Sequence, residues 1–326
     1  MLSMQSTSGE PNDAAESGGA TAMTLSDVPA DVIQAHILTR LDGPTLASAA
    51  TTCTGLRALA SHPLLWARAC HATWPSTLSP RVRHVISAFP NGGARSFFAD
   101  AFPSPSSSAG KLPPPGPDGA PPRLLSAVDL FLGPCVVFSE VAETETVSGW
   151  FLCSPFRIDM VEEKDAVRVG VTCEAVEEVR LRWVVVDPAG GRAADVSSGR
   201  AVEVRRHWLS GEVEARFATA VGEAACLAVV RWGPEMESIR EVSLQMEGVD
   251  GVRMNGRDSL VILQSVLLGE RQGKTEGGAG YRQFLKMKKE RIEGKLRAEG
   301  ILDMLSLAFA FFAMLLASLL LFSKSN

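Results

Sequence analysis

The chain has no C-x-x-C pair. Its six cysteines, Cys53, Cys70, Cys135, Cys153, Cys173 and Cys226, are scattered, which is the usage of a reduced compartment rather than of a disulfide framework or a zinc site. They read as small apolar residues of a core. Histidine is scarce as well: His36, His62, His71, His84 and His207 have no spacing suited to metal ligands, and neither H-E-x-x-H nor G-x-S-x-G occurs. No catalytic residue, metal or cofactor is expected. The main body has no long Lys/Arg block, and the formal net charge is -5, so phosphate backbones meet no counter-surface and nucleic acid is not expected as a partner. Residues 1–22 lack the basic start and apolar run of a secretory signal. Their Ser, Gly, Glu and Asp content predicts a disordered segment over 1–23.

What is present falls into textures. With 46% hydrophobic residues over 326 positions, the chain can bury one good core and a second, smaller one, so two folded units are expected. Ile33, Ile37, Leu38 and Leu41 follow Pro29 at helical spacing, and Gly43 with Pro44 supplies a stop. Residues 46–53, 56–60 and 64–74 repeat that pattern, which predicts short packed helices over 24–101. Residues 102–122 are Pro-, Ser- and Gly-rich and predict an extended, partly stiff linker.

Beyond the linker the period becomes two. Val179, Leu181, Trp183 and Val185 share a face, as do Val202, Val204 and Trp208, then Val213, Ala215 and Phe217, and then Val242, Leu244 and Met246. Short strands without long intervening helices predict an antiparallel β-sandwich over 123–270, with a barrel as the alternative. The fold class is therefore α+β and multidomain. Trp150, Trp183, Trp208 and Trp232 are expected in the sandwich core, and Arg205 to Trp208 on a solvent-facing edge. Leu260–Leu268 reads as an apolar strand. The Gly269–Thr275 stretch after it imitates a phosphate-binding loop, but has three residues where that loop needs four and runs into more glycine rather than a helix, so nucleotide binding is not expected.

Gly273–Gly280 reads as flexible. Tyr281, Leu285, Ile292 and Leu296 then form one stripe of a basic amphipathic helix expected to end at Gly300, with cations placed to meet anionic lipid headgroups. Met304–Phe322 is 19 residues without a charge, close to the length that spans a bilayer core at 1.5 Å per residue. A transmembrane tail anchor is expected over 301–322, inserted after translation. Lys286, Lys288, Lys289, Arg291, Lys295 and Arg297 precede it and only Lys324 follows, which puts the body in the cytosol. An endomembrane such as the endoplasmic reticulum is the expected location.

Leu25–Cys70, LSDVPADVIQAHILTRLDGPTLASAATTCTGLRALASHPLLWARAC, resembles the F-box. The matching features are Val28-Pro29 at the opening Leu-Pro site, Asp31, Ile37-Leu38, Leu41, Leu46, Cys53, Leu56 and the closing Pro63-Leu64-Leu65-Trp66. Val28 replaces the usual Leu, and Leu56 a common Trp. The resemblance implies a non-catalytic module that docks a Skp-type adaptor and, through it, a cullin-RING ubiquitin ligase, while a C-terminal domain selects the protein substrate. Carried over by position, the docking residues are Val28, Pro29, Ile33, Ile37, Leu38, Leu41, Leu46, Leu64, Leu65 and Trp66. Some 45 residues of short helices cannot bury all these side chains among themselves, which points independently to a partner. Segments of the second half (LLSAVDLFLGPCVVFSE, ETVSGWFLCSPFRID, RHWLSGEVEARFAT, GVRMNGRDSLVILQ) resemble plant F-box proteins with this same domain order. A membrane scaffold or binding protein with a lectin-like β domain, acting outside a ubiquitin ligase, is the alternative.

Overall fold

A computed structural model of the chain describes residues 28–105, 121–161, 166–169, 178–269, 271–272 and 278–324, with side chains as far as residue 316. The segment 1–23, most of the Pro-rich stretch and Cys173 lie outside the described residues.

The first half is helical. After Pro29, α1 (Ala30–Val32) widens into a π turn over Ile33–Ile37 and tightens to a 3-10 turn over Leu38–Arg40. Then come α2 (Gly43–Thr52), α3 (Thr54–Ala60), α4 (Pro63–Thr73), a 3-10 turn (Pro75–Leu78), α5 (Pro80–Ser87) and α6 (Ala94–Ala101). The break before α2 is chemical: Asp42 is its N-cap, accepting from the Thr45 N–H at 2.9 Å, with Pro44 in the first turn. The Thr45 hydrogen bonds hold the Asp42 carboxyl below its ordinary pKa. Trp66, Trp74, Phe89, Phe97, Phe98 and Phe102 form a chain of ring contacts at 5.0–5.6 Å through the helical core.

The strands follow in the order β1 (Ser104–Pro105), β2 (Arg123–Leu132), β3 (Cys135–Glu145), β4 (Arg157–Val161), β5 (Val167–Arg168), β6 (Val179–Asp187), β7 (Arg192–Asp195), β8 (Gly199–Arg200), β9 (Glu203–Arg206), β10 (Val213–Val221), β11 (Ala224–Trp232), β12 (Ser238–Gly248) and β13 (Arg271–Gln272). A five-stranded sheet is ordered β3-β2-β6-β7, with β8 also on β6. A six-stranded sheet is ordered β4-β12-β11-β10-β9, with β5 also on β12. Every pairing among the described strands is antiparallel. One core fills the space between the sheets, with Leu124, Val128, Leu130, Leu181, Trp183 and Val185 from one and Phe217, Ala228, Val230, Val242 and Leu244 from the other, which makes this a sandwich.

The other face of the five-stranded sheet is buried too. Leu125, Ala127, Val184, Val186 and Ala193 belong to the same apolar cluster as Trp74, Val82, Phe89 and Phe97, so the helices and the sandwich share a core. Two carboxylates fasten this joint. Asp129, fully buried, accepts from the Ser76 N–H (2.7 Å), Ser76 Oγ (2.6 Å) and Ser139 Oγ (2.7 Å). Asp100 on α6 accepts from Arg192 Nε and the Ala193 N–H, both at 2.9 Å.

The structure corrects several expectations. Leu260–Leu268 belongs to helix α8 (Gly256–Leu268), capped by Asn255, with Leu260, Leu263, Val266 and Leu267 turned to the core; a short apolar run does not by itself separate strand from buried helix. The terminal helix α9 (Ala279–Lys324) runs through Gly300, because one glycine costs a helix only about 1 kcal/mol relative to alanine. Its buried contacts are Tyr281 and Phe284, while Leu285 and Leu296 are exposed. Trp183 and Trp232 are core residues, but Trp150 and Trp208 are exposed, the latter in the turn after β9 rather than on a strand. Burial pushes the Cys70 and Cys226 thiols up to about 12, whereas Cys53, Cys135 and Cys153 are exposed.

Two measurements test this packing. A Cβ on Gly43 would lie 2.0–2.5 Å from the Phe98 ring, itself held between Trp66 and Trp74, so Gly43→Ala is expected to destabilise the chain by about 1–3 kcal/mol in denaturant titration; an unchanged midpoint would contradict the packing. Burial, opposed by the Ser76 and Ser139 hydrogen bonds, raises Asp129 from 3.8 to about 6. The folded state therefore holds this proton more tightly than the unfolded state. The stability it contributes is complete below about 4 and is lost as pH rises through 6. Asp129→Asn, which cannot ionise, should gain on the wild type by up to about 3 kcal/mol between pH 4 and pH 7; a pH-independent difference would remove Asp129 as the titrating group.

Candidate functional site

The ten residues marked in the helical module divide into two sets. Ile33, Leu38, Leu46, Leu65 and Trp66 are buried in the helical core, and Trp66 also donates from Nε1 to the Ala60 carbonyl at 2.7 Å. These five shape the surface from beneath and are not themselves surface. Pro29 is exposed, Ile37 is 43% exposed and Leu64 72% exposed, with Val28 and Leu41 half-buried. Sequence reading missed Val32, which is also exposed. It lies one turn before Ile37, and the π turn between them offsets the usual helical spacing. The module thus buries one side on α4 and α6 and leaves Pro29, Val32, Ile37 and Leu64 unpartnered, four apolar side chains that a monomer has no internal reason to expose.

A second feature lies on the outer face of the six-stranded sheet. There a cavity of about 450 Å³ is walled almost wholly by charge, from Arg157, Asp159, Glu212, Glu214, Arg216, Arg231, Arg240, Glu241 and Arg253. The strands alternate, so lining residues of β10 and β11 have inward neighbours in the sandwich core: Glu214 and Arg216 flank Ala215, and Val229 and Arg231 flank Val230. Arg231 bridges Glu241 (2.9 Å) and Glu214 (3.2 Å), Arg216 meets Glu214 at 2.7 Å, Arg157 meets Asp159 at 2.7 Å and Glu241 at 3.1 Å, and Arg240 meets Glu212 at 2.7 Å. Burial opposes ionisation of Glu214, yet Arg216 and Arg231 hold its carboxyl below the ordinary value. Burial likewise opposes the charge of Arg231, which Glu241 and Glu214 restore and push above its usual range. The result is a lattice of ion pairs suited to charged or polar protein segments rather than to apolar ligands. The sequence showed the alternation of Val242, Leu244 and Met246 but not the partners of Glu241 between them, Arg157 and Arg231, which come from other strands. Arg205, singled out in the sequence, pairs with Glu203 on edge strand β9 and does not line the cavity.

Comparison with known proteins bears on both features. A family model described as F-box-like matches residues 25–72. A probable F-box protein of Arabidopsis thaliana is 43% identical over 299 residues, covering 87% of this chain and 89% of its own. Two further F-box proteins of the same plant are each 40% identical, covering 88% and 84% of this chain and 93% and 83% of their own. No solved structure matches. F-box proteins are generally substrate adaptors of Skp-cullin-RING ligases, without catalytic chemistry of their own, and the F-box generally binds the Skp subunit. The likeness runs through the sandwich as well as the helices, and the chain belongs to the plant F-box protein family, in the group with an N-terminal F-box, a β-rich domain and an apolar C-terminal helix.

Proposed function

We propose that this chain is the substrate-recruiting subunit of a Skp-cullin-RING ubiquitin ligase, held at a membrane by its C-terminal helix and promoting ubiquitination of a protein near that surface. One observation carries the reading: within the F-box-like match, Pro29, Val32, Ile37 and Leu64 are exposed although apolar. Those four, with Val28 and Leu41, are the contact residues for a Skp-type adaptor. Ile33, Leu38, Leu46, Leu65 and Trp66 hold that surface in shape. The charged cavity is the surface for the substrate. The membrane part rests on α9, which has the length and apolarity to cross a bilayer and whose side chains over 301–316 are all exposed. The excess of Lys and Arg before that stretch supports a cytosolic body, with an endomembrane as its address. In this reading the chain has four parts, namely the F-box module, a Pro-rich connection, the β-rich recognition domain and the anchoring helix.

The test is capture by a purified Skp-type adaptor. Full-length chain in detergent is expected to bind, and the double variant Ile37→Glu with Leu64→Glu to lose at least about tenfold in affinity, since two apolar contacts become buried charges. Both side chains are exposed, so the melting curve should not move. A control variant, Leu209→Glu on the distant β9–β10 turn, should bind as the wild type does. Equal binding by the double variant and the wild type would refute the assignment of this face.

A further inference from the structure

The terminal helix leaves the body at one identifiable end of the six-stranded sheet. Its Tyr281 and Phe284 pack on Ala218, Ala225 and Leu227. Further along, Lys288 is paired with Glu247, the register partner of Ala225. Lys288 and Ile292 then lie against Gly251, and Lys295 reaches Asp250 at 3.7 Å. Gly251 and Asp250 belong to the turn that follows β12, so α9 crosses the sheet towards that turn and passes beyond it.

The same turn leads to α7 (Gly149–Cys153). Arg253 pairs back onto Glu247, Asn255 is bridged to Pro155, and the Gly256 N–H donates to the Ser154 carbonyl at 3.0 Å. A Cβ on Gly256 would stand 2.1 Å from the Phe151 carbonyl oxygen, so α7 is seated directly on the start of α8. α7 carries Trp150, 80% exposed, preceded by exposed Val147, and Val252 on the turn is 58% exposed. Arg257 is exposed on the first turn of α8, on which α7 is seated. Nothing in the sandwich core requires these apolar side chains to face outward. Trp208, the other exposed tryptophan, lies in the turn before Val213, whose register partner is Trp232 at the far end of β11. The two exposed tryptophans therefore mark opposite ends of the sheet.

Helix geometry sets the distance to a bilayer. From Lys295, the last residue fixed to the body, to Met304, the first of the uncharged run, is nine residues, a rise of about 14 Å. The headgroup layer occupies about 5–7 Å of it. Tryptophan favours that layer, and arginine beside it gains from anionic lipid. We propose that Trp150, Val147 and Val252, flanked by Arg257, form a membrane-contacting patch seated in the headgroup layer of the bilayer that α9 crosses, with anionic lipid as its preferred surface. The patch makes a second attachment beside the helix and fixes the tilt of the body. It rests on the reading of α9 as a spanning helix.

The experiment uses full-length chain reconstituted in phosphatidylcholine/phosphatidylserine vesicles, with and without brominated acyl chains that quench nearby tryptophan. Flotation is scored first and reports anchoring alone. Of the six tryptophans, Trp66, Trp74, Trp183 and Trp232 are buried in the protein, which leaves Trp150 and Trp208, and only Trp150 is on the proposed patch. Trp150→Phe is expected to reduce quenching to less than about a third of the wild-type level, and Trp208→Phe to leave it unchanged. Both side chains are exposed, so neither change threatens the fold. A chain that floats but is quenched as strongly after Trp150→Phe overturns the patch and leaves the anchor standing. A chain that does not float overturns the anchor and the patch together.

Discussion

Burial of the β2–β6 pair on both of its faces is the constraint that the rest of the molecule obeys. An antiparallel sheet in a sandwich usually keeps one face wet. Here the inward face, Leu124, Val128 and Leu130, closes on the second sheet, and the outward face, Leu125 and Ala127, closes on the helices. A polar group in such a strand has no water to turn to and must find a partner in the protein. Ser126 accepts from Trp183 Nε1 at 3.2 Å, and Asp129 takes three donors. The helical module cannot swing away from the sandwich without uncovering a row of aliphatic side chains and stranding that carboxylate. The chemistry of the interface thus makes one body of what composition alone presents as two textures joined by a linker.

The terminal helix meets a related problem on the outer face of the six-stranded sheet. The outer face of the six-stranded sheet has an apolar half, Ala218, Ala225 and Leu227, and a charged half around Arg231 and Glu241. Tyr281 and Phe284 cover the first, and Lys288 and Lys295 are spent on Glu247 and Asp250. Two of the cations read from the sequence as lipid-facing are therefore committed to the body. Lys289 and Arg297 share Glu293 on the helix itself. On the charged half, the charge of Glu214 and of Arg231 is held against burial by the opposite charges beside each.

Legibility in the sequence followed the range of the interactions. Helices of the first half were readable because caps and breaks are local, as with Asp42 and Pro44, and the inward set of β6 was readable because its alternation is unbroken from Val179 to Val185. Segments whose state depends on distant partners were not. Leu260–Leu268 is a helix because the lateral opening of the sandwich accepts one helical face, and no neighbour in sequence announces it. Trp150 and Trp208 resemble core aromatics in composition and differ only in where α7 and the β9–β10 turn fall. Within the F-box-like segment, sequence position could not separate exposed Ile37 and Leu64 from buried Leu38 and Leu65, adjacent pairs in which a single residue step turns one side chain out and the other in. The charged cavity was hidden for the same reason, since its ion pairs join β4, β10, β11 and β12.

The layered order bears on how such a subunit could act. Helices, first sheet, second sheet and the docked part of α9 lie in succession, at roughly 10 Å per packed layer. In the proposed reading the adaptor residues lie on the helices and the substrate cavity on the six-stranded sheet, and the shared core and Asp129 tie the helices to the sandwich. Ubiquitin transfer by proximity asks for a fixed separation more than for tight substrate binding, and a stack without slack supplies it. In the same reading, anchoring adds the complementary economy. A substrate in that membrane would meet the cavity at the effective concentration set by a short tether rather than by the cytosol. An ionic surface of modest affinity would then be sufficient, and selection by location would replace selection by a deep pocket.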